Sequence, residues 1–142
     1  MMSKLNPYLN FHGTTEEAFN LYKSVFGGEF QAVYRFGDNP GCDGMAAEDK
    51  NKIMHIALPV RGSLLMATDV NGNEPFPVNE GNNISLSINA DSKVDADELF
   101  DKLSEGGTKM IPMSQADWGD YFGMIKDRFG IQWMISFPTK QI

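Results

Sequence analysis

Two histidines, His12 and His55, and one cysteine, Cys42, are the groups of this 142-residue chain best suited to acid-base or nucleophilic work at neutral pH. His55 lies mid-strand in the run Ile53-Met54-His55-Ile56-Ala57-Leu58. An imidazole there has two readings. It can donate a hydrogen bond to a ligand or trade a proton near working pH. It can also be a hydrogen-bonded core histidine. His12 falls at a strand-to-helix turn and reads as exposed or capping. Cys42 has acidic neighbours, which disfavour a thiolate nucleophile. Asp38, Asp43, Glu48 and Asp49 crowd one loop. Their spacing matches no EF-hand, and a solvated acidic loop is the simpler reading. No complete set of base, orienting group and anion stabiliser is visible.

Methionines recur through the strand-like runs, at Met54, Met66, Met124 and Met134. Thioethers fill irregular gaps and line adaptable pockets. Trp118, Tyr121 and Phe122 cluster at a strand entry beside Gly119 and Gly123. Aromatic rings at a pocket rim can stack on a flat ligand, and Tyr or Trp adds a polar handle. Hairpin packing or a dimer contact would use the same residues. Trp133 neighbours Met134, so strand alternation puts it on the opposite face, in a core or an interface. Asp127-Arg128 reads as a turn with a surface charge pair.

Two helices must position these groups. The first starts at Thr14, where Thr14-x-x-Glu17 forms a capping box. Its apolar stripe is Ala18, Leu21, Tyr22, Val25 and Phe26, and Gly27-Gly28 ends it. The second starts near Asp91-Ser92, with Ser92-x-x-Asp95 as a weaker cap. Its stripe is Ala96, Leu99, Phe100 and Leu103, and Gly106-Gly107 ends it. The same stripe phase and the same double-glycine stop suggest a duplication. Strand candidates surround each helix alike. In the first unit they are Tyr8–Phe11, Glu29–Phe36, Lys52–Val60 and Ser63–Thr68. In the second they are Asn83–Asn89, Thr108–Met113, Tyr121–Lys126 and Ile131–Phe137. Each unit reads β-α-β-β-β. The stretch from Asp69 to Gly81 links them, and Arg35–Asn51 is the longest irregular segment, functional or mobile.

The length fits one domain, with module one over about 5–70, a linker over about 70–81 and module two over about 82–138. Twelve basic residues against nineteen acidic ones give a formal charge of −7. Such a surface repels phosphate backbones and anionic lipids, so neither nucleic acid nor a membrane is expected as a partner. No apolar run approaches the roughly 20 residues that span a bilayer. No signal peptide is visible, and a lone cysteine agrees with a reducing compartment. A cytoplasmic location is expected.

The order of elements and several local strings resemble the vicinal-oxygen-chelate (glyoxalase/bleomycin-resistance) superfamily, in its PhnB-like branch. The strings are Pro7 to Gly13 (PYLNFHG), Phe19 to Phe30 (FNLYKSVFGGEF), Lys52 to Leu58 (KIMHIAL), Gly81 to Ser87 (GNNISLS) and Trp118 to Ile135 (WGDYFGMIKDRFGIQWMI). The likeness runs nearly end to end, and the last string is the most specific. It implies an α+β fold of two βαβββ modules whose curled sheets form a cup around a small-molecule pocket. It also implies a homodimer. Members of the branch often carry a demethylubiquinone methyltransferase label. No glycine-rich turn between a strand and a helix supports that label here.

In metal-dependent relatives, as the resemblance implies, His and Glu ligands sit on the first and last strands of each module. Counting four residues on from Gly62 and Gly130 puts Met66 and Met134 at the last-strand positions. The first-strand count lands on Pro7, or on Leu5 or Leu9, in module one, and on Asn83 or Ser85 in module two. None is His, Glu or Asp, and a thioether is a poor ligand for hard or borderline ions. No metal and no other cofactor are therefore expected. The expected ligand-binding residues are His55, Met66, Asn83, Trp118, Tyr121, Phe122 and Met134. Two functions remain in view: a metal-free cup binding a small, partly apolar molecule, and a superfamily enzyme of lyase, isomerase or dioxygenase type acting on a small oxygen-rich substrate.

Overall fold

The computed structural model describes residues 3–42, 44–70 and 74–139. The chain divides into two compact units, Met1–Asn79 and Glu80–Ile142. The first unit runs β1 (Tyr8–Phe11), α1 (Thr15–Phe26), β2 (Ala32–Arg35), α2 (Ala47–Lys50), β3 (Ile53–Val60) and β4 (Ser63–Asp69). Two short 3-10 turns, Phe36–Asp38 and Pro40–Cys42, and α2 fill the segment expected to be irregular. The sheet order is β1-β4-β3-β2, with β1 parallel to β4. The second unit runs β5 (Leu86–Asn89), α3 (Lys93–Ser104), β6 (Thr108–Gln115), β7 (Asp120–Lys126) and β8 (Gln132–Pro138). Its order is β5-β8-β7-β6, with β5 parallel to β8. The two units share one topology, as the repeated helix words imply.

Each helix covers one face of its own sheet. In the first unit α1 buries Ala18, Phe19, Leu21 and Tyr22 against Ile56, Leu58, Leu65 and Ala67. The buried stripe includes Thr15 and Phe19, whereas Val25 and Phe26 stay half-exposed. The packed side is thus rotated from the expected stripe. In the second unit Ala96, Leu99, Phe100 and Leu103 meet Ile125, Trp133 and Ile135. Gly107, between α3 and β6, shows how close the chain entering β6 comes to β7, since a Cβ there would lie 2.2 Å from the Lys126 carbonyl oxygen.

Three local expectations change. Strand β2 is shorter than Glu29–Phe36, and β5 starts at Leu86 rather than Asn83, leaving Ile84 75% exposed. Thr14 makes no side-chain cap. A carboxylate at the end of β4, paired with Phe11 of β1, takes over. Asp69 Oδ1 accepts from Thr15 N at 3.0 Å, and its Oδ2 accepts from Ile53 N at 2.8 Å. A buried negative charge suits the positive end of a helix. The weaker motif is the one that forms: Ser92 Oγ accepts from Asp95 N at 3.0 Å, and Asp95 Oδ2 accepts from Asp91 N at 2.9 Å. Ser92→Ala should cost about 1 kcal/mol, while Thr14→Ala should stay within about 0.5 kcal/mol. Urea unfolding midpoints of the two variants check this, and equal losses would contradict it.

Asp127 also departs from expectation. It is 3% exposed, not part of a surface charge pair. Its Oδ1 accepts from Phe129 N at 2.9 Å and Ile131 N at 3.0 Å, and its Oδ2 accepts from Trp133 Nε1 at 2.9 Å. The carboxylate builds the β7–β8 turn and anchors the buried indole. Arg128 instead lies over the Phe129 ring.

Candidate binding face

Strand alternation decides which side chains share the face opposite α1. Leu65 and Ala67 enter the core, so Leu64, Met66 and Thr68 lie on the other side, half-exposed. Tyr8 pairs with Met66 across β1–β4, and Tyr34 pairs with His55 across β2–β3. Alternation with the buried Ile56 puts His55 on this face, and a register shift adjoins it. Arg35 pairs with Ile53 and Tyr34 with His55, so Met54 is a bulge residue. Ile53 and Ile56 are both buried at three residues' spacing. Strict alternation would have placed them on opposite faces. The bulge absorbs the mismatch, and His55 stays on the open side.

There the three rings form one aromatic group. Tyr8 stacks on His55 with ring centroids 5.7 Å apart and planes at 25°. Tyr34 stacks on it at 6.4 Å and 23°. The Tyr8 hydroxyl lies 3.2 Å from His55 Nδ1. Burial pushes the Tyr8 phenol up from its ordinary value, so it stays protonated. Tyr8 and Tyr34 remain 46% and 52% exposed, which leaves ring surface available for contact. Met66 sits beside Tyr8 as a soft apolar floor.

The second sheet separates the aromatic cluster expected from the sequence. Phe122 and Met134 share a face with Met124 and Ser87, through the pairs Phe122–Ser136, Met124–Met134 and Ser87–Met134. Trp118 leans on Phe122 at 5.3 Å, and its Nε1 donates to Asp120 Oδ2 at 3.1 Å. Tyr121 points the other way. Its hydroxyl donates to Asp97 Oδ1 on α3 at 2.6 Å, with Lys93 Nζ 5.1 Å from the ring centre. The Asp97 bond raises its phenol's pKa, with burial adding to the shift. Asn83 is exposed and lies ahead of β5. His55 and Met66 are thus brought together on one sheet, and Phe122 and Met134 on the other, while Tyr121 and Asn83 stand apart.

Register also corrects the first-strand metal positions. The residue facing Met66 is Tyr8, not Pro7, Leu5 or Leu9. The residue facing Met134 is Ser87, not Asn83 or Ser85. Thioether with phenol, and thioether with hydroxyl, are donor sets that do not fit a divalent ion seeking imidazole or carboxylate. The nearby imidazole already turns Nδ1 to the Tyr8 hydroxyl. Among the described residues no group of three His, Cys, Asp or Glu is placed to hold a metal. In the acidic loop, Asp38 accepts from Arg35 N and Asp49 pairs with Lys52. Asp43 lies outside the described residues.

A cavity of about 380 Å³ lies elsewhere in the first unit, between His12, Val70 and the segment 74–78. His12 is exposed, as expected, and its Nε2 is 3.2 Å from the Val78 carbonyl oxygen there. The aromatic face is the better candidate, because it gathers groups able both to stack and to hydrogen-bond. Sequence reading missed Tyr8 and Tyr34. Tyr8 was legible in principle, as the residue of β1 in phase with Met66. Tyr34 was not, because its place beside His55 depends on how β2 registers on β3.

Comparison with known proteins gives the context. Protein YjdN of Escherichia coli is 26% identical over 96% of this chain and 97% of its own length. The solved protein PA1353 of Pseudomonas aeruginosa is 39% identical, with a TM-score of 0.84, over 98% of this chain and 100% of that one. A PhnB protein from Bacillus cereus shares the fold at 24% identity and a TM-score of 0.77, over 95% and 99% of the two chains. So does a glyoxalase/bleomycin resistance protein/dioxygenase family enzyme from Burkholderia phytofirmans, at 17% identity and 0.65, over 92% and 96%. No helix among the described residues is long and apolar enough to cross a membrane. The family described as 3-demethylubiquinone-9 3-methyltransferase matches residues 3–136, and the chain belongs to this PhnB-like family, on the glyoxalase/bleomycin-resistance fold.

Proposed function

We propose that this protein binds a small, flat, partly apolar molecule without a metal, on the open face of its first sheet. The observation that carries the proposal is the stack of Tyr8, His55 and Tyr34 with Met66 beside it. Two half-exposed phenol rings and a thioether offer apolar area, and the imidazole adds a polar contact that fixes orientation. The family description names a methyl transfer, which needs a nucleoside-type methyl donor. The strand-to-helix turns here are His12-Gly13-Thr14 and Ala90-Asp91-Ser92, and the paired glycines follow the helices. These turns do not fit such a donor. A second reading rests on the Tyr8–His55 hydrogen bond. A phenol and an imidazole in contact can pass a proton, so an isomerase-type proton transfer is the enzymatic alternative.

The test is a melting-temperature screen with flat mono- and bicyclic compounds, run beside Ni²⁺, Zn²⁺, Fe²⁺ and Mn²⁺. A ligand of the native state raises the melting point. Bound compounds should lose roughly fivefold in affinity in Tyr34→Ala, the worth of one aromatic contact. Hits unaffected by Tyr34→Ala and His55→Ala would place binding elsewhere. A shift with one metal at near one ion per chain would overturn the metal-free face.

A further inference from the structure

We infer that His55 is held as its Nε2–H tautomer, so that the aromatic face selects flat ligands carrying a hydrogen-bond acceptor over equally flat ligands that carry a donor or neither. The inference rests on the binding reading above and goes on to name the ligand class. Two arrangements satisfy the 3.2 Å contact between the Tyr8 hydroxyl and His55 Nδ1. Either the phenol donates to a bare Nδ1, or an Nδ1–H donates to the phenol oxygen. The first is favoured on both sides. An imidazole nitrogen is a strong acceptor, whereas a phenol oxygen shares its lone pair with its ring and is a weak one. The phenol is also a good donor, kept in its protonated form by burial. No hydrogen bond to another described residue competes for either group.

A neutral imidazole has one donor nitrogen and one acceptor nitrogen. With Nδ1 accepting from Tyr8, the proton sits on Nε2. That nitrogen has no hydrogen-bond partner among the described residues, so it is the donor left for a ligand. The stacked phenols set the second requirement. Rings lying within about 25° of the imidazole plane, at 23° and 25°, favour a planar body aligned with them. A heteroaromatic nitrogen, a ring carbonyl or an aromatic carboxylate meets both conditions. A compound whose only polar group is an N–H does not. Met66, beside Tyr8, offers such a ligand only a weakly accepting thioether sulfur and soft contact.

The test uses three bicyclic probes of nearly equal size at mildly alkaline pH, where all are neutral: isoquinoline (acceptor), indole (donor) and naphthalene (neither). Isoquinoline should bind roughly fivefold more tightly than the other two, the worth of one net hydrogen bond. His55→Phe should keep the flat surface and erase the preference. Nitrogen NMR of the ligand-free protein should show the proton on Nε2, and Tyr8→Phe should move the ring towards a mixture of tautomers. A proton found on Nδ1, or indole binding as well as isoquinoline, would overturn the inference. Equal binding of all three that is still weakened by Tyr34→Ala would overturn the selectivity and leave the binding face intact. Binding by none of them would overturn both.

Discussion

Replacing Asp127 by alanine should lower the melting temperature by roughly 10 °C. The carboxylate is buried and accepts from Phe129 N, Ile131 N and Trp133 Nε1. Removing it leaves those donors without a partner in a closed turn. Hydrogen bonds to a charged group are worth about 1.5–3 kcal/mol each, and part of the loss is recovered by water reaching the two half-buried amides. A net cost of about 3 kcal/mol follows, at about 3 °C per kcal/mol for a chain of this size. Asp127→Asn should fall between. It keeps an oxygen for the turn amides but turns an NH₂ towards the Trp133 N–H. Adding Trp133→Phe to the Asn variant removes that donor clash, so the double variant should lose less than the two singles summed. Thermal unfolding followed by the fluorescence of the buried indole checks this. A drop of only a degree or two in Asp127→Ala would contradict it.

The largest functional effect is expected from Met66→Glu. It places a carboxylate opposite Tyr8 on the face that must lie against the ligand. A charge held against an apolar surface loses hydration without gaining a partner. Affinity for a neutral flat ligand should fall more than tenfold, about 1.4 kcal/mol or above. Met66 is half-exposed, so the fold should survive. Calorimetric titration of the wild type and the variant with isoquinoline is the check, with circular dichroism confirming the fold. Unchanged affinity would contradict the proposed face. Met134→Glu puts the same question to the face of Phe122 and Met124 on the second sheet.

Much of the frame was legible because it rests on local periodicity. The stripe of α3, the glycine stops and the alternation of β4 all follow from residue spacing, and β1 falls on Tyr8–Phe11 as expected. The resemblance of the two units follows from the same signals. Counting from Gly62 and Gly130 gave Met66 and Met134 equivalent places, and both lie next to the first strand of their own sheet. What was not legible depends on contacts distant in sequence. Thr14 carries a good capping sequence, yet Asp69, fifty-four residues from Thr15, supplies the acceptor. Asp127 looked like a surface charge beside Arg128, but a tryptophan six residues on folds back over the turn to meet it. The count for the first strands missed by one residue in module one, and that slip inverts the face. Tyr34 meets His55 through the register of β2 on β3, which pairs two residues far apart in the chain. The candidate site was thus half visible. His55 and Met66 could be read from the chain, while the two rings that complete the proposed face came from sheet register.

The central claim is that ligand binds over Tyr8, His55, Tyr34 and Met66. The most direct measurement follows the methyl NMR signals of the nine methionines during titration with isoquinoline. Ring currents from a stacked ligand shift only nearby methyls. The account predicts a saturable shift of Met66, assigned by its loss in Met66→Leu, together with a change in the His55 ring signals. Saturable shifts confined to other methionines, with Met66 and His55 unmoved, would contradict it.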